Sequence, residues 1–233
     1  MIARDGIPFV LIGLVLTLVL LWVANRGNSH VAFWSSLAVG ILTIFVVFFF
    51  RDPERECGSG PGVVLAPADG TVVAIEKIDR HPFVGKDALK VSVFLSVLDV
   101  HVNRVPASGV VDFVNYNRGK FLAAYVDKAS KENEQSEIGM TTIGGHRIVF
   151  KQIAGLIARR IVCRLNDGDT VRAGDRFGMI RFGSRADLIL PAGSSIRVQE
   201  GEQVYAGRTI IGMLDTSEVP TDSSLISGSE NFD

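Results

Sequence analysis

The dipeptide Gly183-Ser184 is the part of this sequence best suited to a chemical reaction. It lies just before an apolar run at residues 186–190. Glycine tolerates strained backbone angles, which allows the Ser184 hydroxyl to turn back onto the Gly183 carbonyl carbon. Attack there would convert the peptide bond into an ester. β-Elimination would then release the Gly183 carboxylate and leave dehydroalanine, which hydrolyses to an amino-terminal pyruvoyl group. The dipeptide alone is more typical of a loop before a strand.

Two further side chains, His101 and Asp69, could serve such a reaction. An imidazole titrates near neutral pH, so His101 could accept the Ser184 proton or protonate a carbon centre. A carboxylate such as Asp69 could orient that histidine. Each residue also has a structural interpretation, because a histidine on an apolar strand is often part of the core and Pro-x-Asp-Gly is a common turn sequence. Asp99 and His146 are weaker candidates.

Two apolar segments precede these residues. Residues 7–24 and 31–50 contain no ionisable side chain, and each is long enough to cross a hydrocarbon core of about 30 Å as a helix. Because residues 25–30 between them are polar, we expect a transmembrane helical hairpin within residues 1–50, with both outer ends on one side. A signal peptide is disfavoured because no small-residue cleavage site follows the first segment.

The arginines near this hairpin predict its orientation. Arg4, Arg51 and Arg55 flank the outer ends, and Arg26 alone marks the turn. The positive-inside rule therefore predicts a globular domain on the cytoplasmic face of the cell membrane. A hairpin that enters only one leaflet stays an alternative, since the first segment contains a proline and a glycine.

Residues 51–214 are predicted to form one mainly β domain. Runs rich in Val and Ile and bounded by turn residues predict strands. They lie at residues 70–78, 89–97, 110–116, 146–150, 161–165 and 186–190. Helical periodicity is weak and predicts only short helices near residues 121–129 and 152–158. Residues 215–233 contain five acids and no base, which predicts a disordered acidic tail.

One pattern occurs twice, as GDTVRAG at residues 168–174 and GEQVYAG at residues 201–207. This pattern resembles the hammerhead units of biotinyl and lipoyl carriers. With APADGTV at residues 66–72, it predicts a barrel-sandwich hybrid of short antiparallel strands, in which the glycines allow tight turns. Similar turns occur in many other β proteins. A membrane-tethered adaptor or carrier is therefore an alternative function, although a carrier needs a modifiable lysine at a tight turn and neither repeat contains one.

From residue 48 to about residue 212 the chain resembles the phosphatidylserine decarboxylases, in the short form with an amino-terminal membrane hairpin. The matching segments are 48–53 (FFFRDP), 66–70 (APADG), 98–106 (LDVHVNRVP), 127–134 (DKASKENE), 152–162 (QIAGLIARRIV) and 181–185 (RFGSR). Their shared order makes the resemblance specific, and it favours the self-cleavage interpretation of Gly183-Ser184.

The resemblance implies a cofactor, a partner and a reaction. The chain would cleave itself between residues 183 and 184 into a β chain, 1–183, and an α chain, 184–233, which form a heterodimer. Ser184 would become a covalent pyruvoyl group, without pyridoxal phosphate or metal. Its ketone would condense with the amine of phosphatidylserine and accept the electron pair that remains when carbon dioxide leaves. The product would be phosphatidylethanolamine, formed in phospholipid biosynthesis. Further oligomerisation stays open.

The sequence departs from the longer family members at one position. They have a second histidine three residues after the first, where this chain has Arg104. The resemblance therefore leaves open whether His101 serves self-cleavage, decarboxylation or both. Gly193-Ser194 also has the local chemistry for cleavage, but its surroundings match the strand that follows the family motif.

Charge and cysteine usage narrow the range of partners. Residues 147–185 contain nine Lys or Arg and three acids, which favours an anionic lipid surface. Nucleic acid is disfavoured because aromatic residues are not interleaved with the basic ones. Cys57 and Cys163 fit no disulfide framework, and a zinc peptidase would need a histidine paired with His101. A pyruvoyl decarboxylase for another amino acid stays an alternative, but a soluble substrate gives no reason for a membrane anchor.

We predict that Ser184→Ala remains a single inactive chain and that Ser194→Ala still matures, because only the first serine stands in the family motif. Denaturing gels and intact masses of the two purified variants check this. A cleaved Ser184→Ala together with an uncleaved Ser194→Ala would move the cleavage site to Gly193-Ser194.

Overall fold

A computed structural model describes residues 1–58, 60–119, 133–155, 161–181 and 183–215. A 3-10 turn (Arg4–Gly6) precedes the helices α1 (Ile7–Gly27) and α2 (His30–Phe49). The strands in the described ranges are β1 (Val63–Leu65), β2 (Gly70–His81), β3 (Gly85–Leu95), β4 (Val102–Arg104), β5 (Gly109–Asn117), β6 (Gln135–Thr142), β7 (Arg147–Ile153), β8 (Ile161–Cys163), β9 (Thr170–Val171), β10 (Arg176–Ile180), β11 (Ser184–Leu190), β12 (Ser195–Ile196), β13 (Gln203–Val204) and β14 (Ile210–Met213). The predicted mainly β fold after a helical pair is confirmed. The predicted helix at residues 121–129 and the tail from residue 216 lie outside the described residues.

The two helices form a hairpin with a shorter turn than the sequence predicts. Asn28 ends α1 in the left-handed conformation, with φ 47°, and the Ser29 side chain caps α2 by accepting a hydrogen bond from the Ala32 N–H at 3.3 Å. The helix α1 consequently continues through residues 25–27, which the sequence assigned to the turn. Both helices are long enough and apolar enough to cross a membrane.

The base of the hairpin is joined to the β domain. The Ala3 N–H donates to the Phe50 carbonyl at 2.8 Å, so the segments just before α1 and just after α2 lie side by side. Asp5, at the start of the hairpin, forms an ion pair with Arg164 of the β domain. These contacts place both outer ends of the hairpin against the same side of the β domain.

The largest sheet has eight antiparallel strands in the order β13-β2-β3-β11-β7-β6-β5-β9 and curls into a half-barrel. All six runs that the sequence predicted as strands overlap strands of the structure. Strand β6 has no clear signal in the sequence, because its residues QSEIGMTT mix small, polar and apolar types. The predicted helix at residues 152–158 is wrong for its first four residues, since Gln152 and Ile153 complete β7 and residues 154 and 155 are not helical. Residues 156–158 lie outside the described residues.

The repeated sequence pattern forms equivalent structures at opposite edges of this sheet, at β9 and β13. The Gly168 N–H donates to the Val111 carbonyl of β5 at 2.8 Å, and the Gly201 N–H donates to the Val72 carbonyl of β2 at the same distance. Strands β5 and β2 each have a bulge directly after these valines. The domain therefore consists of two similar halves on either side of a central strand pair, β11 and β7.

Two three-stranded sheets, β1-β14-β12 and β4-β10-β8, accompany the large sheet. The main core contains fully buried apolar side chains from the large sheet and from both small ones, including Val64, Ile138, Phe150, Phe177 and Leu188. This packing fixes β4 and β10 relative to β11. The candidate site residues lie at the ends of these strands.

We predict that Ile148→Ala lowers the free energy of unfolding by about 2–5 kcal/mol, because its side chain is fully buried in β7 and the substitution leaves a cavity. Ile143→Ala is the matched control. This residue lies in the turn of the same β6-β7 hairpin and is 83% exposed, so its effect should stay within about 0.5 kcal/mol. Denaturant unfolding of both variants in detergent checks the difference, and equal losses would contradict the burial assigned here.

Candidate active site

Ser184 is the first residue of β11, and its side chain is fully buried. Strand β11 lies between β3 and β7, and Ser184 pairs with Leu95 at the end of β3. The Ser184 hydroxyl has no hydrogen-bond partner among the described residues. Burying a hydroxyl without a partner costs free energy, because its bonds to water are lost. This position therefore favours a chemical role for Ser184 over a structural one.

Gly183 adopts a backbone conformation that suits glycine. Its φ of +57° lies in the left-handed region, which other residues adopt at a cost. A Cβ atom at this position would meet no described atom within 4 Å. Backbone geometry, rather than lack of space, therefore explains the glycine. Phe182, the neighbour on the other side, lies outside the described residues.

His101 is also fully buried, directly before β4. Its ring packs against the ring of Phe49 at the end of α2, with 4.1 Å between centroids. Neither His101 ring nitrogen has a hydrogen-bond partner of normal geometry in the described part of the chain. The predicted base and the predicted nucleophile thus share an uncommon state, since both are buried polar groups without a hydrogen-bond partner of normal geometry among the described residues.

The backbone brings His101 and Gly183-Ser184 into one region. The His101 carbonyl accepts a hydrogen bond from the Ile180 N–H at 3.3 Å, three residues before Gly183. Ser184 pairs with Leu95, six residues before His101. Each end of the segment from Leu95 to His101 therefore lies beside one end of the segment from Ile180 to Ser184.

Burial lowers the pKa of His101 from 6.5 to about 4. Removal from water disfavours the charged imidazolium, and the Arg51 charge lowers the pKa further. The Asp99 carboxylate and backbone carbonyl oppose this shift without overcoming it. At neutral pH the His101 ring is therefore uncharged and able to accept a proton.

The Asp69 carboxylate bonds to groups other than His101. Its two carboxylate oxygens accept from the Arg55 guanidinium at 2.5 and 2.6 Å, and one of them also accepts from the Ala206 N–H at 2.8 Å. Asp69 makes no hydrogen bond to the His101 ring. The structure therefore does not bring this pair together as the orienting contact requires.

The internal repeat explains one of these bonds. Ser108 precedes β5 as Asp69 precedes β2, and the Ser108 hydroxyl accepts from the Ala173 N–H at 2.9 Å. Ala173 and Ala206 occupy the same place in the two repeats. The bond from Ala206 to Asp69 is therefore part of the shared architecture, and the ion pair with Arg55 is the additional feature of this half.

Several polar residues of the site region have no chemical signal in the sequence. Gln152 pairs across the sheet with Ala186, and its amide Nε2 donates to the Asn103 Oδ1 at 2.9 Å. The Gln152 Oε1 is buried without a described partner. Next to Ser184, the Arg185 guanidinium donates to Asp187 at 2.6 Å. Only the matching family segments single out these positions, because Asn, Gln and Arg have many structural uses.

The residues present fit a prosthetic group made from the chain itself. The Ser184 hydroxyl has no described partner from which it must be released, and the space beside Gly183 is open. Among the described residues, no group of three or more His, Cys, Asp and Glu side chains could hold a metal ion.

Comparison with known proteins gives the family. The model of the phosphatidylserine decarboxylase family matches residues 42–212. A phosphatidylserine decarboxylase proenzyme of Desulfotalea psychrophila is 45% identical over 213 residues, which cover 91% of this chain and 96% of that protein. Proenzymes of the same name from Burkholderia cenocepacia and Burkholderia vietnamiensis are 45% and 44% identical over 214 residues, or 92% of this chain and 96% of theirs. The resemblance seen in the sequence is thus confirmed, and the chain belongs to the phosphatidylserine decarboxylase family.

Proposed function

We propose that this chain is a phosphatidylserine decarboxylase that activates itself by breaking the bond between Gly183 and Ser184. Family membership supplies the reaction, in which phosphatidylserine loses carbon dioxide and becomes phosphatidylethanolamine. The observation that supports the position of the break is the Ser184 hydroxyl, which is buried without a described partner directly after the left-handed Gly183.

Self-cleavage in this scheme needs one base and one nucleophile. The uncharged His101 takes the hydroxyl proton of Ser184, and the Ser184 Oγ attacks the Gly183 carbonyl carbon. The peptide C–N bond breaks, and the Ser184 nitrogen takes up a proton. Loss of the Ser184 Cα proton then expels the Gly183 carboxylate, and water releases the nitrogen as ammonia. The products are residues 1–183 and residues 184–233 with a ketone at the new amino terminus.

That ketone, once formed, supplies the electron sink that decarboxylation of an amine substrate requires. The surrounding residues hold its position. Strand β11 keeps its neighbours β3 and β7 on both sides, and Arg185 is bonded to Asp187 and to the Ser92 hydroxyl at 2.6 Å each. An imidazole that has taken a proton can return it to the product carbon, so His101 is also our candidate for this step.

Asp69 acts in this proposal as a positioning residue. Its bonds to Arg55 and Ala206 fix the chain at Ala68, which packs against Leu95 and Ala186 of the strands around Ser184. Asp69 therefore supports the wall of the site and leaves the His101 ring free to accept a proton.

The membrane hairpin supports a lipid substrate. Phe49, at the end of α2, touches the His101 ring, so the site lies where the hairpin meets the β domain. A headgroup at the membrane surface is close to such a site. We place the β domain on the cytoplasmic face, because Arg4, Arg51 and Arg55 lie at this end of the hairpin.

We expect the pH dependence of stability to report the uncharged state of His101. Its pKa is about 4 in the folded chain and 6.5 without burial, so only the unfolded chain binds the extra proton between these values. The contribution of His101 is fully present above pH 6.5 and is lost as the pH falls through 4. Unfolding of the uncleaved Ser184→Ala chain should therefore become easier across this window.

The control is His101→Gln in the same Ser184→Ala background, with thermal unfolding in detergent followed by near-ultraviolet circular dichroism. This variant should lose less stability between pH 6.5 and pH 4, because glutamine does not titrate. Parallel curves for the two proteins would show that His101 is not a buried neutral imidazole.

We further expect mature protein to separate into fragments 1–183 and 184–233 on denaturing gels, with the smaller one blocked to Edman sequencing. Borohydride reduction in the presence of phosphatidylserine should add the lipid mass to the smaller fragment alone. Free amino acids serve as the comparison, because a decarboxylase for another amino acid would be trapped by one of them instead. An active preparation that contains only the full-length chain would contradict the proposal.

A further inference from the structure

The segment FFFRDP at residues 48–53 takes no part in the bond changes and proton transfers proposed above, although Phe49 touches the His101 ring. Helix α2 ends at Phe49, whose ring contacts His101. Arg51 lies two residues beyond this helix end. The helix that is long enough to span the hydrocarbon core ends at Phe49. A side chain two residues later is therefore expected near the level of the lipid phosphates.

Arg51 joins the base of the hairpin to the turn that leads to His101. Its guanidinium donates to the Phe48 carbonyl at 3.0 Å and to the Leu98 carbonyl at 2.6 Å, and it lies 4.0 Å above the Phe48 ring centroid. The charge of Arg51 is close enough to lower the pKa of His101. Arg51 is thus a cation beside the candidate base.

The turn held by Arg51 is closed by its own hydrogen bonds and carries an exposed side chain. The Ser96 N–H donates to the Asp99 carboxylate at 2.8 Å, and the Leu98 N–H donates to the Ser96 hydroxyl at 3.3 Å. The Leu98 side chain is nevertheless 65% exposed. An exposed leucine beside the base of a membrane hairpin suits contact with lipid, so Arg51 and this turn face the bilayer together.

The charge of Arg51 is available for a ligand. Asp52 follows it in the chain, but the Asp52 carboxylate bonds to Arg104 at 3.3 Å and to Arg176 at 2.6 Å. A guanidinium has five N–H donors, and the described contacts of Arg51 use only two of its nitrogens, for carbonyl groups that do not cancel its charge. Arginine is well suited to bind phosphate through its remaining donors.

We propose that Arg51 binds the phosphodiester of the substrate headgroup and so directs the serine amine toward residue 184. This assignment rests on the proposed function, because it needs a phosphatidylserine substrate at the site beside His101. In that substrate a single CH2 group separates the amine-bearing carbon from the phosphate ester oxygen, so the cation that holds the phosphate has to lie close to the reacting groups.

The test compares Arg51→Gln and Arg51→Lys with Arg4→Gln, an exposed arginine at the same base of the hairpin. In mixed micelles, Arg51→Gln should still cleave itself, and its KM for phosphatidylserine should rise roughly 10- to 100-fold with kcat nearly unchanged. Arg51→Lys should keep part of the affinity, since it retains the charge without the planar pair of donors. Arg4→Gln should behave as wild type.

A substrate without phosphate separates binding from general damage. A serine whose hydroxyl oxygen carries a long-chain alkyl ether keeps the free amine and the free carboxylate, and it should be decarboxylated with the same KM by wild type and by Arg51→Gln. An unchanged KM for phosphatidylserine in Arg51→Gln, or an equal rise for the O-alkyl serine, would overturn the assignment. If Arg51→Gln does not cleave itself, the same comparison with Arg51→Lys decides.

Soluble competitors identify the source of the phosphate. Glycerophosphoserine should inhibit wild type more strongly than Arg51→Gln, whereas inorganic phosphate at the same concentration should have little effect on either. Equal inhibition of wild type by both compounds would show a general phosphate site and would overturn the headgroup assignment. Wild-type protein without any activity on phosphatidylserine would instead contradict the proposed function itself.

Discussion

The position of β11 in the centre of the large sheet is the constraint on which the rest of the site depends. Hydrogen bonds to β3 on one side and β7 on the other hold Ser184 at the first position of a fully buried strand. The left-handed Gly183 lets the chain enter this strand sharply. Chemistry at a peptide bond needs its atoms held still, and an ordered strand start provides that where a surface loop would not.

The hairpin contacts the β domain at the candidate site. Phe49 covers the His101 ring, and the Asp5–Arg164 ion pair fixes the hairpin to the domain. The Ala3–Phe50 hydrogen bond holds the two ends of the hairpin together. The same burial that excludes water from His101 keeps it uncharged at neutral pH. The end of the helical hairpin and the uncharged state of His101 are thus linked through Phe49.

Local patterns in the sequence predict most of the fold. Apolar runs reveal the helices and six of the strands, and the glycine repeats reveal the two similar halves. The sequence pattern does not predict strand β6, because its pairing with β5 and β7 is decided by tertiary contacts and not by its own residues. Residues 152 and 153 illustrate the same effect, since β7 extends through them against β11 and overrides a weak helical pattern.

The site is predictable only in part. Gly183, Ser184 and His101 belong to segments that match the family, and the structure brings those segments together. The bonds of Asp69 to Arg55 and Ala206 join positions 14 and 137 residues apart in the chain. No spacing rule connects such distant residues, so the alternative partner of this carboxylate is visible only in three dimensions.

The placement of β11, β13 and β14 has a consequence for the cleavage that we propose between residues 183 and 184. These strands, all from residues 184–233, are paired with β3 and β7, with β2, and with β1, all from residues 1–183. The three sheets of the described residues are already formed in the uncleaved chain, so the proposed cleavage would leave fragment 184–233 paired with fragment 1–183 of the same molecule. Exchange of fragments between molecules would require unfolding of the core, so both fragments of one molecule would come from a single translation product.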